Sequence, residues 1–143
     1  MRVPTLAIGL VSIALLSGCK SPESVVPGKW VQKFAYTTTT VNFTKEGTWD
    51  YAAGAPGQVP YTMSGTWKMD GTTVVMTVDK YRGVDAALLR DGIESAVENA
   101  PASQQEFLET TLIFLKEGMR LKFSDDRRTL SGTGRFHISK VDN

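Results

Sequence analysis

Tyr61-Thr62-Met63-Ser64-Gly65-Thr66-Trp67-Lys68-Met69-Asp70-Gly71-Thr72-Thr73-Val74-Val75-Met76-Thr77-Val78 reads as a single β-hairpin. Residues 61–69 alternate in polarity, and Asp70-Gly71 is a favoured two-residue type I′ loop. Centring the turn there predicts Trp67 opposite Val74, Gly65 opposite Met76, Met63 opposite Val78 and Lys68 opposite Thr73. Every apolar residue then falls on one face, and a slip of one residue would turn that face to water.

Two further hairpins follow by the same reasoning. Lys45-Glu46-Gly47 is a three-residue loop that predicts Phe43 opposite Trp49 and Val41 opposite Tyr51. A turn near Asp126-Arg127 predicts Phe123 opposite Leu130, Leu121 opposite Gly132 and Met119 opposite Gly134. The outer face of that last pair then carries Arg120, Lys122, Arg135 and His137 as a basic strip, able to meet anionic headgroups or serving as the ordinary polar face of a sheet. The three tryptophans share one context, Gly28-Lys29-Trp30, Gly47-Thr48-Trp49 and Gly65-Thr66-Trp67, and keep the rhythm of strands and turns.

Between residues 82 and 118 the period changes. Leu88, Leu89, Ile93, Ala96 and Val97 recur at helical spacing, as do Phe107, Leu108, Thr111, Leu112 and Leu115. Pro101 suits a first helical turn, Ser103-Gln104-Gln105-Glu106 has the form of a capping box, and Gly118 that of a C-cap. The predicted fold is mainly β with two inserted helices at about 84–117. It is an antiparallel meander, either a barrel or a curved open sheet covered by the helices, with seven strands counted.

The N-terminus sets the location. Arg2 is followed by an apolar run at residues 6–16 and then Leu16-Ser17-Gly18-Cys19, which resembles the lipobox of bacterial lipoproteins. The resemblance implies a signal peptide over 1–18, cleavage before Cys19, and acyl chains on its thiol that hold the protein in a membrane. Lys20, in place of an aspartate after the cysteine, implies the outer membrane, facing the periplasm. Residues 20–27 contain Pro22 and Pro27 among polar residues and are predicted to be an extended tether. Cys19 is the only cysteine, so an intramolecular disulfide is excluded. With Arg2 removed, the sixteen basic residues fall to fifteen and match the fifteen acidic ones, so charge gives no reason to expect nucleic acid as a partner.

Gly28-Lys29-Trp30 directly after a tether, with antiparallel hairpins behind it, is similar to the lipocalin-like domains of small bacterial lipoproteins. That resemblance covers residues 28–80 and, more weakly, 119–141, and assigns 28–143 to one domain. It implies that the first tryptophan packs beneath a basic residue of the last strand, for which Arg135 and Lys140 are both candidates. Two departures stand against it: the helices precede the last two strands, and no second lipocalin motif is visible.

Chemistry-bearing patterns are sparse. His137 is the only histidine and lacks visible partners for a triad or a metal cluster. Asp125-Asp126-Arg127-Arg128 reads as a solvated hairpin tip. No catalytic residue, metal ligand or cofactor is therefore expected. The inward face is more telling, and Phe43, Trp49, Tyr51, Met63, Trp67, Met76, Phe123 and Phe136 are the candidate ligand-binding residues. Gly65, Gly132 and Gly134 on the same face either leave a lumen or permit bending. The first expectation is a non-enzymatic binder of a small lipophilic molecule. The alternative is a module with a filled core that holds an envelope protein or a cell-wall polymer.

Overall fold

A computed structural model describes residues 20–142, so the expected signal peptide at 1–18 and the expected acylation at Cys19 lie outside the described residues. The strands are β1 (Gly28–Phe34), β2 (Thr37–Phe43), β3 (Thr48–Gly54), β4 (Tyr61–Asp70), β5 (Thr73–Tyr81), β6 (Val84–Asp85), β7 (Met119–Phe123), β8 (Thr129–Ser131) and β9 (His137–Lys140). The helices are α1 (Pro22–Val25), α2 (Ala86–Val97) and α3 (Ala102–Glu117). β1 to β5 and β7 to β9 form an eight-stranded antiparallel barrel in which each strand pairs with its sequence neighbours. β1 pairs with β9, and the β4–β5 hairpin completes the ring. Closure thus decides between the two predicted architectures, and β6 is a two-residue addition on the edge of β5.

The register of the β2–β3 hairpin is as predicted, Phe43 facing Trp49 and Val41 facing Tyr51. The β4–β5 hairpin differs by two residues: Trp67 faces Met76, Met69 faces Val74 and Asp70 faces Thr73. Its loop is therefore Gly71-Thr72, with Gly71 at φ +60° in the first loop position as a type II′ turn requires. A shift of two preserves the side-chain face, so Met63, Trp67 and Met76 remain inside. Further along, Gly65 faces Val78 while Ser64 faces Lys80, leaving Asp79 as a bulge that turns Tyr81 inward.

Gly65 opens no lumen. A Cβ there would lie 2.9 Å from the Thr77 carbonyl carbon and closer still to its oxygen, because the backbone of β5 presses against it. Trp49, paired with Gly65, covers the bare backbone and donates its indole N–H to the carbonyls of Thr66 and Thr77. The space beside Gly132 is taken by Leu121, and Gly134 lies in an exposed reversal at φ +69°.

That reversal corrects the last predicted strand. Phe123 does face Leu130, but β8 ends at Ser131 and the chain turns through residues 132–136, closed by the Gly132 N–H donating to the Phe136 carbonyl. β9 then folds back on β8, with Ser131 facing His137, so neither predicted pair to Gly132 or Gly134 forms as a ladder, and Met119 faces Met76 instead. The basic strip is broken up as well. Arg120 pairs with Asp70, Arg135 sits in the reversal, and His137 turns to Ser131.

Residues 20–27 are not an extended tether. Pro22 opens the single turn of α1, and Val26 is fully buried against the barrel. Trp30, also fully buried, donates its indole N–H to the Val26 carbonyl at 2.8 Å. The Lys140 ammonium on β9 lies 5.4 Å from the centre of the Trp30 ring and donates to the carbonyls of Val25 and Pro27. Of the two candidates for the basic residue over that tryptophan, Lys140 takes the position. Burial of an apolar valine and the need to satisfy freed carbonyls explain why a Pro-rich polar stretch docks.

The barrel thus has two distinct ends. The docked segment, the loops at Lys45 and Gly71, and the β7–β8 hairpin share one, here called the tether end. The β1–β2 turn, the β3–β4 loop and the two long helices share the other, the far end. β7, β8 and β9 are short, and α2 and α3 pack on each other and against β5, with Ala86 and Leu115 buried. Lys116 and Glu94 join the two helices. Asp85 caps α2 by accepting from the Ala87 N–H, whereas the expected capping box is absent and Pro101 stands at the N-cap of α3.

Candidate functional site

The eight predicted ligand-binding residues divide by height in the barrel. Phe43, Trp67 and Phe123 join Trp30 in an aromatic plug at the tether end, with ring centres 6.5 Å apart for Trp30 and Phe43, 6.3 Å for Trp30 and Phe123, and 5.9 Å for Phe43 and Trp67. Trp67 also donates its indole N–H to the Thr44 carbonyl, so each of the three tryptophans fastens a neighbouring segment. The four rings fill the barrel interior in this half.

The other five, Trp49, Tyr51, Met63, Met76 and Phe136, surround an apolar gap in the far half. Val78, Met119 and Phe114 complete its lining, the last reaching in from α3. The gap leaves no volume that a water molecule could occupy. The interior is a filled core, with no buried polar or charged residue among those described.

Above the gap lies a cluster that sequence reading missed except for Tyr51. Tyr51 and Tyr61 pack edge to face at 6.2 Å, Tyr61 and Tyr81 at 5.2 Å, and the Arg82 guanidinium sits 4.7 Å over the Tyr61 ring. Tyr81 joins only because the bulge at Asp79 reverses its facing. An open groove of about 550 Å³ runs beside them, between Val59, Pro60, Tyr61 and Arg82. Burial, and next the neighbouring Tyr81 hydroxyl, push the Tyr61 phenol well above its ordinary value of 10.0.

The neutral form of Tyr61 is therefore the one the folded state favours. Its contribution is complete below pH 10.0 and is lost as pH rises through the higher folded value. Phenolate absorbance during alkaline titration is expected to show a late step that disappears in Tyr61→Phe. A single common step in the parent protein would contradict that placement.

His137 accepts or donates one hydrogen bond through Nδ1 to the Ser131 hydroxyl at 2.8 Å, on the exposed outer side of the β8–β9 ladder. No carboxylate bonds to this pair among the described residues, so the triad geometry is not assembled there. No group of three metal-binding side chains converges among the described residues. At the β7–β8 tip, the Asp126 carboxylate accepts from the Ser124 hydroxyl and the Arg128 N–H, which hold it below the usual carboxylate range. The tip is thus a self-capped turn.

No protein-family model, curated protein sequence or solved structure matches this chain. Among the described residues, no helix is long and apolar enough to cross a membrane.

Proposed function

We propose that this chain is a lipid-anchored, non-enzymatic envelope protein of the lipocalin-like lipoprotein kind, which holds a protein partner at the end of its barrel farthest from the anchor. The observation that carries this reading is the placement of exposed apolar side chains. Phe34 ends β1, Val84 begins β6, and Tyr36, Val59, Leu88, Phe107 and Ile113 lie on far-end turns, loops or helices, while of the large exposed hydrophobics among the described residues only Val141 lies at the tether end. Exposed apolar surface gathered on one side suits contact with protein better than with a polar wall polymer. The closed barrel and Lys140 over Trp30 support the lipocalin-like comparison, and residues 20–27 dock at the opposite end, the one that the anchor reading turns toward the membrane.

Photo-crosslinking in intact cells tests this directly. Benzoylphenylalanine at Tyr36, Val59 or Phe107 is expected to give one common protein adduct, and at Lys45 or Thr72 none. Adducts from neither set, or equally from both, would end the proposal.

A second reading, uptake of a small lipophilic molecule, draws on one feature. Met63, Met76 and Met119 line the gap beneath Phe114, and thioether side chains re-pack readily. Saturable uptake of a fluorescent lipophile, abolished by Met76→Trp, would favour this reading over the first.

A further inference from the structure

The tether end carries a groove of about 320 Å³ between α1 and the β7–β8 hairpin. Its charged lining is Lys20, Arg127, Arg128 and Lys140 against the one carboxylate of Asp126. In a chain whose charges are balanced overall, four cations to one anion is a local excess. Arg127 donates to the Lys20 carbonyl, Arg128 pairs with Asp142, and Lys140 donates to the Val25 and Pro27 carbonyls. These bonds fix the side chains around the groove and leave most of the five N–H donors of each guanidinium for a ligand.

We propose that this groove binds the phosphodiester of an anionic phospholipid headgroup in the leaflet that receives the Cys19 acyl chains. The proposal rests on the anchor reading for its source of ligand, and on geometry for its chemistry. Cys19 adjoins Lys20 in the chain, so the lipid-bearing residue lies about 4 Å along the backbone from a residue that lines the groove. Guanidinium pairs match phosphate oxygens in bidentate fashion, and basic residues near an anionic surface add attraction. A headgroup held here keeps the tether end on the bilayer and the far end directed away from it. The groove is assembled from both extremes of the described chain, so it exists only in the closed barrel.

The test uses the full chain in dodecyl maltoside micelles, followed by heteronuclear NMR. Dihexanoyl phosphatidylglycerol is expected to shift the Arg127, Arg128 and Lys20 resonances saturably, with dihexanoyl phosphatidylcholine and inorganic phosphate binding far more weakly at matched ionic strength. Arg127→Gln with Arg128→Gln is expected to weaken binding about thirtyfold. Asp142→Asn, which removes the Arg128 ion pair but no groove cation, is expected to retain it. Equal binding of the two lipids, inorganic phosphate binding as tightly as the lipid, or indifference to the double substitution would each overturn the proposal. Mass spectrometry of Cys19 reports separately on the anchor. An unacylated chain that binds the lipid defeats the anchor reading alone, and an acylated chain that does not bind it defeats the groove alone.

Discussion

Trp30→Ala is expected to lower stability by about 4 kcal/mol, in the range for a large aromatic removed from a core. The ring is fully buried, touches Phe43 and Phe123, and lies beneath Lys140. Its loss removes a packed wall of the plug and leaves the Val26 carbonyl without its donor. Residues 20–27 are therefore expected to undock, which limited proteolysis would report as new cleavage near Ser24 alongside the drop in denaturant midpoint. Trp30→Phe separates the two contributions. It keeps most of the ring and loses the indole N–H, so about 1 kcal/mol is expected together with partial undocking. Full stability in Trp30→Ala, or loss of stability with residues 20–27 still protected, would contradict the role given to this residue.

Gly65→Ala is expected to cost about 3 kcal/mol, the upper end for overpacking, because the added Cβ meets backbone and no flexible side chain is there to yield. The collision falls on the hairpin that completes the ring, opposite the bulge at Asp79 and under the Trp49 indole. Weakened protection of the Thr66 and Thr77 amides in hydrogen exchange is expected with the lowered melting temperature. Gly57→Ala, at a position where nothing stands within contact distance of a Cβ, is the control for substitution of a glycine, although its φ of +79° adds a smaller strain of its own. A Gly65→Ala protein as stable as the parent would show that β4 and β5 do not approach as described.

The inward faces were legible because strand parity survives a two-residue error. The hairpin at Gly71 shows why the register itself was not. Asp70-Gly71 and Gly71-Thr72 are both acceptable loops, and the choice falls to contacts beyond the hairpin, including Asp70 with Arg120 on β7. Residues 131–137 alternate like a strand, and the two glycines among them suit a lumen or a bend equally well in sequence, whereas they mark a reversal. Val25-Val26 was the available sign that the polar stretch docks, since two adjacent apolar residues have no reason to stay in water. The tyrosine cluster escaped because a bulge flips Tyr81, and bulges leave no sequence mark as clear as a turn. The basic groove escaped because its members lie more than a hundred residues apart, as the bond between Lys140 and Val25 across 115 positions illustrates.

That same bond carries a consequence for the export that the anchor proposal entails. β1 emerges early and finds β2 at once, but its second neighbour is β9, so the ring stays unsealed until nearly the whole described chain has been delivered. A polypeptide threading a translocation channel from its amino end remains pliable for the length of the passage, and locks only when Lys140 arrives on the far side.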